Sequence, residues 1–146
     1  MSSGFTREEL VARMTRAGEL EVSGDAPEEL KRYFAPGYRF RGPGGVELDL
    51  DGLLGYFASV RDAFDDRSIR RGIVIVEAND MACQTWIEGT FVREFTQSPV
   101  GPLPPNNRRV TFDLFNIFHF DDEGRFTDDA IRVDNYDVLT QLGWAP

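Results

Sequence analysis

Apolar residues along this chain recur first at helical spacing and then at strand spacing. Thr6 and Glu9 form a capping box ahead of Leu10, Val11, Met14 and Ala17, which fall on one helical face. A second helix is predicted at "DAPEEL", with Asp25 as its cap, Pro27 in its first turn, and Leu30, Tyr33 and Phe34 as its buried stripe. The run "PGYRFRGPGG" breaks that pattern and leaves a short extended piece, Tyr38 to Arg41. A third helix is predicted from about Leu50 to Phe64, with Leu53, Tyr56, Phe57, Val60 and Phe64 on one face.

Beyond it the period becomes two. "SIRRGIVIVEA" and "MACQTWIEGTFVREF" read as strands joined by a tight turn at Asn79-Asp80. "RRVTFDLFNIFHF" is a long strand with Phe112, Leu114, Asn116, Phe118 and Phe120 on one face. Asp113, Phe115, Ile117 and His119 lie on the other, so both faces are expected to be at least half covered. The turn "DDEG" leads to a last strand, Arg125 to Asp134, on which Thr127, Asp129, Ile131 and Val133 share a face. Asp134 then caps a closing helix with Tyr136, Leu139 and Leu142 as its stripe and Gly143 as its stop. "TQSPVGPLPPNN" (96–107) is expected to be an ordered but mobile flap or a subunit contact, not a domain linker. Helices followed by a meander of four or five strands predict a single α+β domain over residues 1–146.

Charge narrows the partners. Sixteen Lys and Arg against 25 Asp and Glu give a net charge of −9 and a pI near 4.6. Such a surface repels phosphate backbones and anionic membranes, so neither nucleic acid nor a membrane is expected as a partner. The single cysteine, Cys83, permits neither an intrachain disulfide nor a cysteine-based zinc site, and a reducing, cytoplasmic setting fits. The N-terminal "MSSGFTREEL" lacks a signal-peptide core. "DLDG" (49–52) begins like a calcium loop, but Leu54 stands where that loop needs glycine, so no metal is expected. Forty-one per cent apolar residues, twelve Phe among them, is normal for a globular chain, and the rings either fill the core or line a cavity. If the sheet curves, Tyr38, Phe40, Trp86, Phe91, Phe112, Phe118 and Ile131 are candidates to line a cavity for a small hydrophobic molecule.

The tail carries a further pattern. Gly124 is followed after ten residues by Asp134, and Gln141 of "QLG" lies seven residues beyond that. With "GTF" (89–91), "PPNNRRVTFD" and the helix "FASVRDAFDD", this resembles the SnoaL-like polyketide cyclase branch of the NTF2-like superfamily. The resemblance implies a cone of three N-terminal helices packed on a curved antiparallel sheet, with a short C-terminal helix. It implies intramolecular aldol closure of a polycyclic aromatic ketone ester without cofactor, and dimerisation through the outer sheet face. Similar cyclases use an aspartate to remove a proton beside a carbonyl, with a histidine nearby. Those positions fall on Ile131 and Asn116 here, and the family's Gly-x-His histidine falls on Phe91. Steroid isomerases of the same fold carry an aspartate on the strand after the second helix, where this chain reads "RFRGPGG".

Proton abstraction beside a carbonyl needs a carboxylate in an apolar pocket and a donor for the developing enolate. Asp129 is the candidate acid/base, and Asn116 on the neighbouring strand is the candidate donor. Asp128 points the other way, where Arg132 is positioned to pair with it or with Asp134. His119 also falls on that outer face and is expected at the surface or in a homodimer contact. The expected function is a cofactor-independent cyclase, isomerase or dehydratase acting on a small hydrophobic carbonyl compound. The alternative is a non-catalytic module of the same fold that binds a hydrophobic ligand or a protein partner.

Overall fold

The structure, a computed structural model, describes residues 4–145. Helices α1 (Arg7–Ser23), α2 (Pro27–Lys31) and α3 (Leu50–Ala63) lie in the first half of the chain, and α4 (Asn135–Gln141) closes it. The strands are β1 (Phe34–Arg41), β2 (Glu47–Leu48), β3 (Phe64–Glu77), β4 (Asp80–Phe91), β5 (Phe95–Ser98), β6 (Gly101–Leu103), β7 (Arg109–Phe120) and β8 (Phe126–Val133). Six of them form one sheet in the order β2-β1-β8-β7-β4-β3, while β5 and β6 form a separate hairpin. The sheet is antiparallel except where β1 runs parallel to β8. That pairing joins the first strand to the last, so no local turn signal announces it, and the sheet is one strand larger than the sequence suggests.

Each helix start follows from its cap. The Thr6 hydroxyl accepts from the Glu9 amide at 3.1 Å, and the Glu9 carboxylate accepts from the Thr6 amide at 2.9 Å. Leu10, Met14, Ala17 and Leu20 then bury one face of α1. Its last carbonyls, Glu21 and Val22, accept from the guanidinium groups of Arg61 and Arg67, which serve where α1 has no basic residue of its own. α2 departs from expectation, because Ala26, left-handed at φ 45°, stands at the N-cap and Asp25 makes no cap. At α3 the Asp49 carboxylate accepts from the Gly52 amide at 2.8 Å, which gives the acid of "DLDG" a capping role.

Bulges curve the sheet. On β3 the pairs Arg71↔Thr85 and Val74↔Cys83 leave Gly72 and Ile73 opposite Gln84 alone. The Gln84 side chain accepts the amide of Ile73 at 3.1 Å, and Gly72 has no room for a Cβ beside Gln84 and Trp86. The bulge turns Val74 and Val76 inward and leaves Ile73 and Ile75 outside. A second bulge, between His119 and Phe120, puts Phe126 on the inner face of β8 in place of Thr127, whose hydroxyl donates to the His119 carbonyl. The β3–β4 turn is Ala78-Asn79, with Ala78 at φ 52°, one residue before the predicted pair.

All four helices and the β5–β6 hairpin cover one side of the sheet. The outer side stays open in this chain, with Phe115 59% and Ile117 60% exposed, contrary to the expectation of cover on both faces. The inner side holds two apolar clusters. One gathers α1, Phe118, Phe120 and Phe126; the other gathers Phe64, Phe91, Phe95 and Phe112 beneath α3 and α4. The proline-rich connection is an ordered hairpin, anchored by Phe95 packed against Tyr56 and Phe64. No helix among the described residues is long and apolar enough to cross a membrane.

Candidate active site

Between the two clusters lies a cavity of about 580 Å³. Its wall takes Leu53 and Phe57 from α3, Phe112, Leu114 and Phe118 from β7, Ile131 and Val133 from β8, and Val138 from α4. Pro43, Gly44 and Val46 also line it, as do Gln97, Ser98 and Pro99 at and beside the end of β5. α4 is held over this space by Gln141. Its side-chain amide donates to the Thr111 carbonyl at 2.8 Å and its side-chain oxygen accepts from the Thr111 amide at 2.7 Å, as a paired strand would. The Asp134 carboxylate accepts from the Asp137 amide at 3.1 Å and Gly143 is left-handed at φ 87°. The spaced tail motif is thus a cap, a clamp and a stop that fix one wall.

Polar groups converge at one place in this apolar enclosure. The Arg71 guanidinium donates to the Thr85 hydroxyl at 2.6 Å, and that hydroxyl donates to the Asn116 side-chain oxygen at 2.6 Å. The order is fixed by what each group can do: guanidinium only donates, and a hydroxyl that accepts from it has its proton to give onward. The Asn116 amide nitrogen is therefore turned to Asp129, the side chain with which it bonds.

Asp129 is 7% exposed, and its Oδ1 has no hydrogen-bond partner among the described residues. Burial pushes its carboxyl from 3.8 up to about 7, against the pull of the Asn116 hydrogen bond and the Arg71 charge. Glu21, half-buried on α1, lines the same cavity. Burial raises its carboxyl to about 8, and the charge of Asp129 adds to the rise while Arg71 opposes it. Two acids poised near neutrality thus share a space with one cation, an arrangement able to accept a proton and to return one.

The structure brings together Asp129, Asn116, Phe40, Phe112, Phe118 and Ile131 as cavity-lining residues. It places three other candidates elsewhere. Tyr38 packs edge-on against Phe34, outside the cavity lining, with its hydroxyl buried and without a hydrogen-bond partner among the described residues, and burial raises its pKa. Trp86 alternates with Thr85 and Ile87, so it faces outward, beneath the Arg70 guanidinium at 4.6 Å. Phe91 stacks on Phe64 at 5.1 Å inside the second cluster. His119 is outside, its Nδ1 2.5 Å from Asp80, and Asp128 pairs with Arg41 at 3.7 Å instead of Arg132. Sequence reasoning missed Glu21, Arg71 and Thr85. Thr85 was available from the alternation of β4, whereas Glu21 near a helix end and Arg71 beside a bulge carry no pattern of their own. Among the described residues no cluster of His, Cys, Asp or Glu is arranged to hold a metal ion.

A curved sheet wrapped on three helices, with a short C-terminal helix across the open end, is the NTF2-like cone. Within that class the chain belongs to the SnoaL-like polyketide cyclase family, whose family model matches residues 11–142. Among solved structures it is similar to AclR from Streptomyces galilaeus, a candidate hydroxylase, with TM-score 0.79 and 16% identity over 97% of this chain and 100% of that one. It is also similar to TsrD from Streptomyces laurentii (TM-score 0.76, 22% identity, 95% and 98% covered). IdmH from Streptomyces antibioticus, a candidate polyketide cyclase, matches with TM-score 0.76 and 23% identity, 93% and 99% covered. At these identities the likeness speaks for the fold alone. No curated protein matches the chain.

Proposed function

We propose that this chain is a cofactor-independent acid–base enzyme that moves a proton beside the carbonyl of a small hydrophobic, polyketide-like compound, in a cyclase-, isomerase- or dehydratase-type reaction. One observation carries the reading: a carboxylate in an apolar cavity, with one oxygen that has no hydrogen-bond partner among the described residues and a pKa of about 7. Asp129 is the base that takes the proton α to the carbonyl. Asn116 holds Asp129 with one amide N–H and offers the other to the carbonyl oxygen, where enolate charge develops. Glu21, which keeps its proton to a higher pH, is the group that returns one. Phe40, Phe112, Phe118 and Ile131 hold the ligand body. The open outer face, with Ile73, Ile75, Phe115 and Ile117, is the contact we propose for a homodimer.

Ile131 and Asn116 occupy the positions where similar cyclases are expected to have aspartate and histidine, and this favours a second reading, a module that binds a hydrophobic ligand without turnover. Deuterium exchange separates the two. The protein is incubated in D₂O with polyketide-like and steroid-like ketones, and each ketone is weighed by mass spectrometry. Protein-dependent deuterium beside the carbonyl, lost in Asp129→Asn, is the expected result. Calorimetric binding of the same ketones with no exchange supports the binding module instead.

A further inference from the structure

Arg71 differs from the other arginines that reach polar partners in this chain. Arg16, Arg70, Arg93 and Arg125 pair with carboxylates near the surface, and Arg61 and Arg67 donate to backbone carbonyls. Arg71 lines the cavity, and no carboxylate pairs with it among the described residues. Its neighbours are neutral: the Thr85 hydroxyl at 2.6 Å, the Cys83 sulfur at 4.0 Å and the face of Phe118 at 5.9 Å. A guanidinium has five N–H donors, and this one spends few of them on the protein. Glu21 and Asp129 share the cavity and feel the Arg71 charge, but no carboxylate among the described residues takes its free N–H groups, and a ligand anion could.

The second observation lies on α1. Gly18 is buried in the middle of that helix, where glycine costs up to about 1 kcal/mol relative to alanine. A Cβ built there would stand 2.4 Å from the Arg71 Nη2 and 3.0 Å from Ile69. The helix is thinned at the one place where the guanidinium lies against it.

We infer that Arg71, seated against Gly18, binds a carboxylate of the ligand, so that the cavity takes a hydrophobic keto acid in preference to its neutral ester. The inference rests on reading this cavity as the ligand site, and it adds to the proposed proton transfer the chemical class of what is bound. Burial keeps Glu21 and Asp129 largely protonated near pH 6, so neither cancels the Arg71 charge there. Besides Arg71, Arg61 on α3 acts on Glu21 and Asp128 on β8 acts on Asp129; the two acids in turn raise Tyr38 on β1, and Asp129 raises Cys83 on β4. A carboxylate is ionised at that pH, whereas a phenol is not, which is why the carboxylate is the anion assigned.

The test is binding, read by calorimetry at pH 6, of 6-acetyl-2-naphthoate and its methyl ester. The wild-type chain is expected to hold the acid about tenfold or more tighter than the ester, as a charge-assisted bidentate pair should. Arg71→Met is expected to lose that preference with ester affinity kept, and Arg71→Lys to keep part of it. Gly18→Ala, which favours the helix while displacing the guanidinium, is expected to weaken acid binding selectively. The preference should persist in Asp129→Asn, so failure of the proton-transfer reading would leave this result standing. Equal affinity of the wild-type chain for acid and ester overturns the inference, as does an acid preference that survives Arg71→Met.

Discussion

Two pairs of like-charged neighbours, Arg70-Arg71 and Asp128-Asp129, are each split across the sheet. Outside, Arg70 lies on Trp86 and pairs with Glu88 at 3.3 Å, and Asp128 pairs with Arg41 at 3.7 Å. Inside, among the described residues, Arg71 hydrogen-bonds only to neutral groups and Asp129 keeps one oxygen without a hydrogen-bond partner. Residue type is the same on both sides; the environment differs. Half-exposed pairs near water contribute little to stability and do little chemistry. The inner members act on each other through space: the Arg71 charge favours the ionised Asp129, but burial outweighs it and the carboxyl holds its proton to about pH 7. Strand alternation, which moves a side chain from one solvent to another in a single residue, makes that difference.

The sharpest way to break this contrast is to neutralise each aspartate in turn. Asp129→Asn is expected to lower ketone proton exchange by roughly 10²–10⁴-fold, the contribution typical of a positioned base, while Asp128→Asn leaves it within about twofold. Mass spectrometry of ketones in D₂O reads both. The same contrast holds for packing. Phe120, fully buried, should cost about 3–5 kcal/mol when replaced by alanine in urea unfolding, whereas Phe115→Ala in dilute protein should fall within about 0.5 kcal/mol. At higher concentration Ile117→Lys is expected to shift sedimentation from dimer to monomer, with ligand binding unaffected.

pH separates the two faces again. Folding raises the Asp129 carboxyl from 3.8 to about 7, so the folded chain binds this proton more tightly than the unfolded one. The resulting stabilisation is complete below about pH 4 and is lost as pH climbs through 7. Wild-type stability measured against Asp129→Asn should therefore fall over that window, by up to about 4 kcal/mol. The smallest effect concerns the third acid of the tail. Asp134→Ala should cost about 1 kcal/mol, the worth of an N-cap, and any loss of exchange should follow from loosening α4.

Much of the fold was legible because it is periodic. α1 and its capping box, the span of α3, the inner face of β7 and the capped tail helix all follow from local spacing. The parallel docking of β1 on β8 was not, since more than half of the chain separates the two strands. The inward placement of Asp129 and Asn116 in the cavity lining was legible because both lie on regularly alternating strands. Tyr38, Trp86 and Phe91 were misplaced because aromatic character was read without the direction of each ring. Arg71 was hidden by its bulge, for in "RRGIVIV" nothing tells which of the alternating apolar residues turn inward after Gly72. Glu21 comes to the cavity from α1 through tertiary packing alone.

The most direct test of the account is a ¹³C NMR titration of the Asp129 carboxyl in selectively labelled protein, assigned by comparison with Asp129→Asn. The enclosed base described above predicts a midpoint near 7. A midpoint near 4, the ordinary carboxylate range, would mean that water reaches Asp129 freely, and the proposed base would be lost with it.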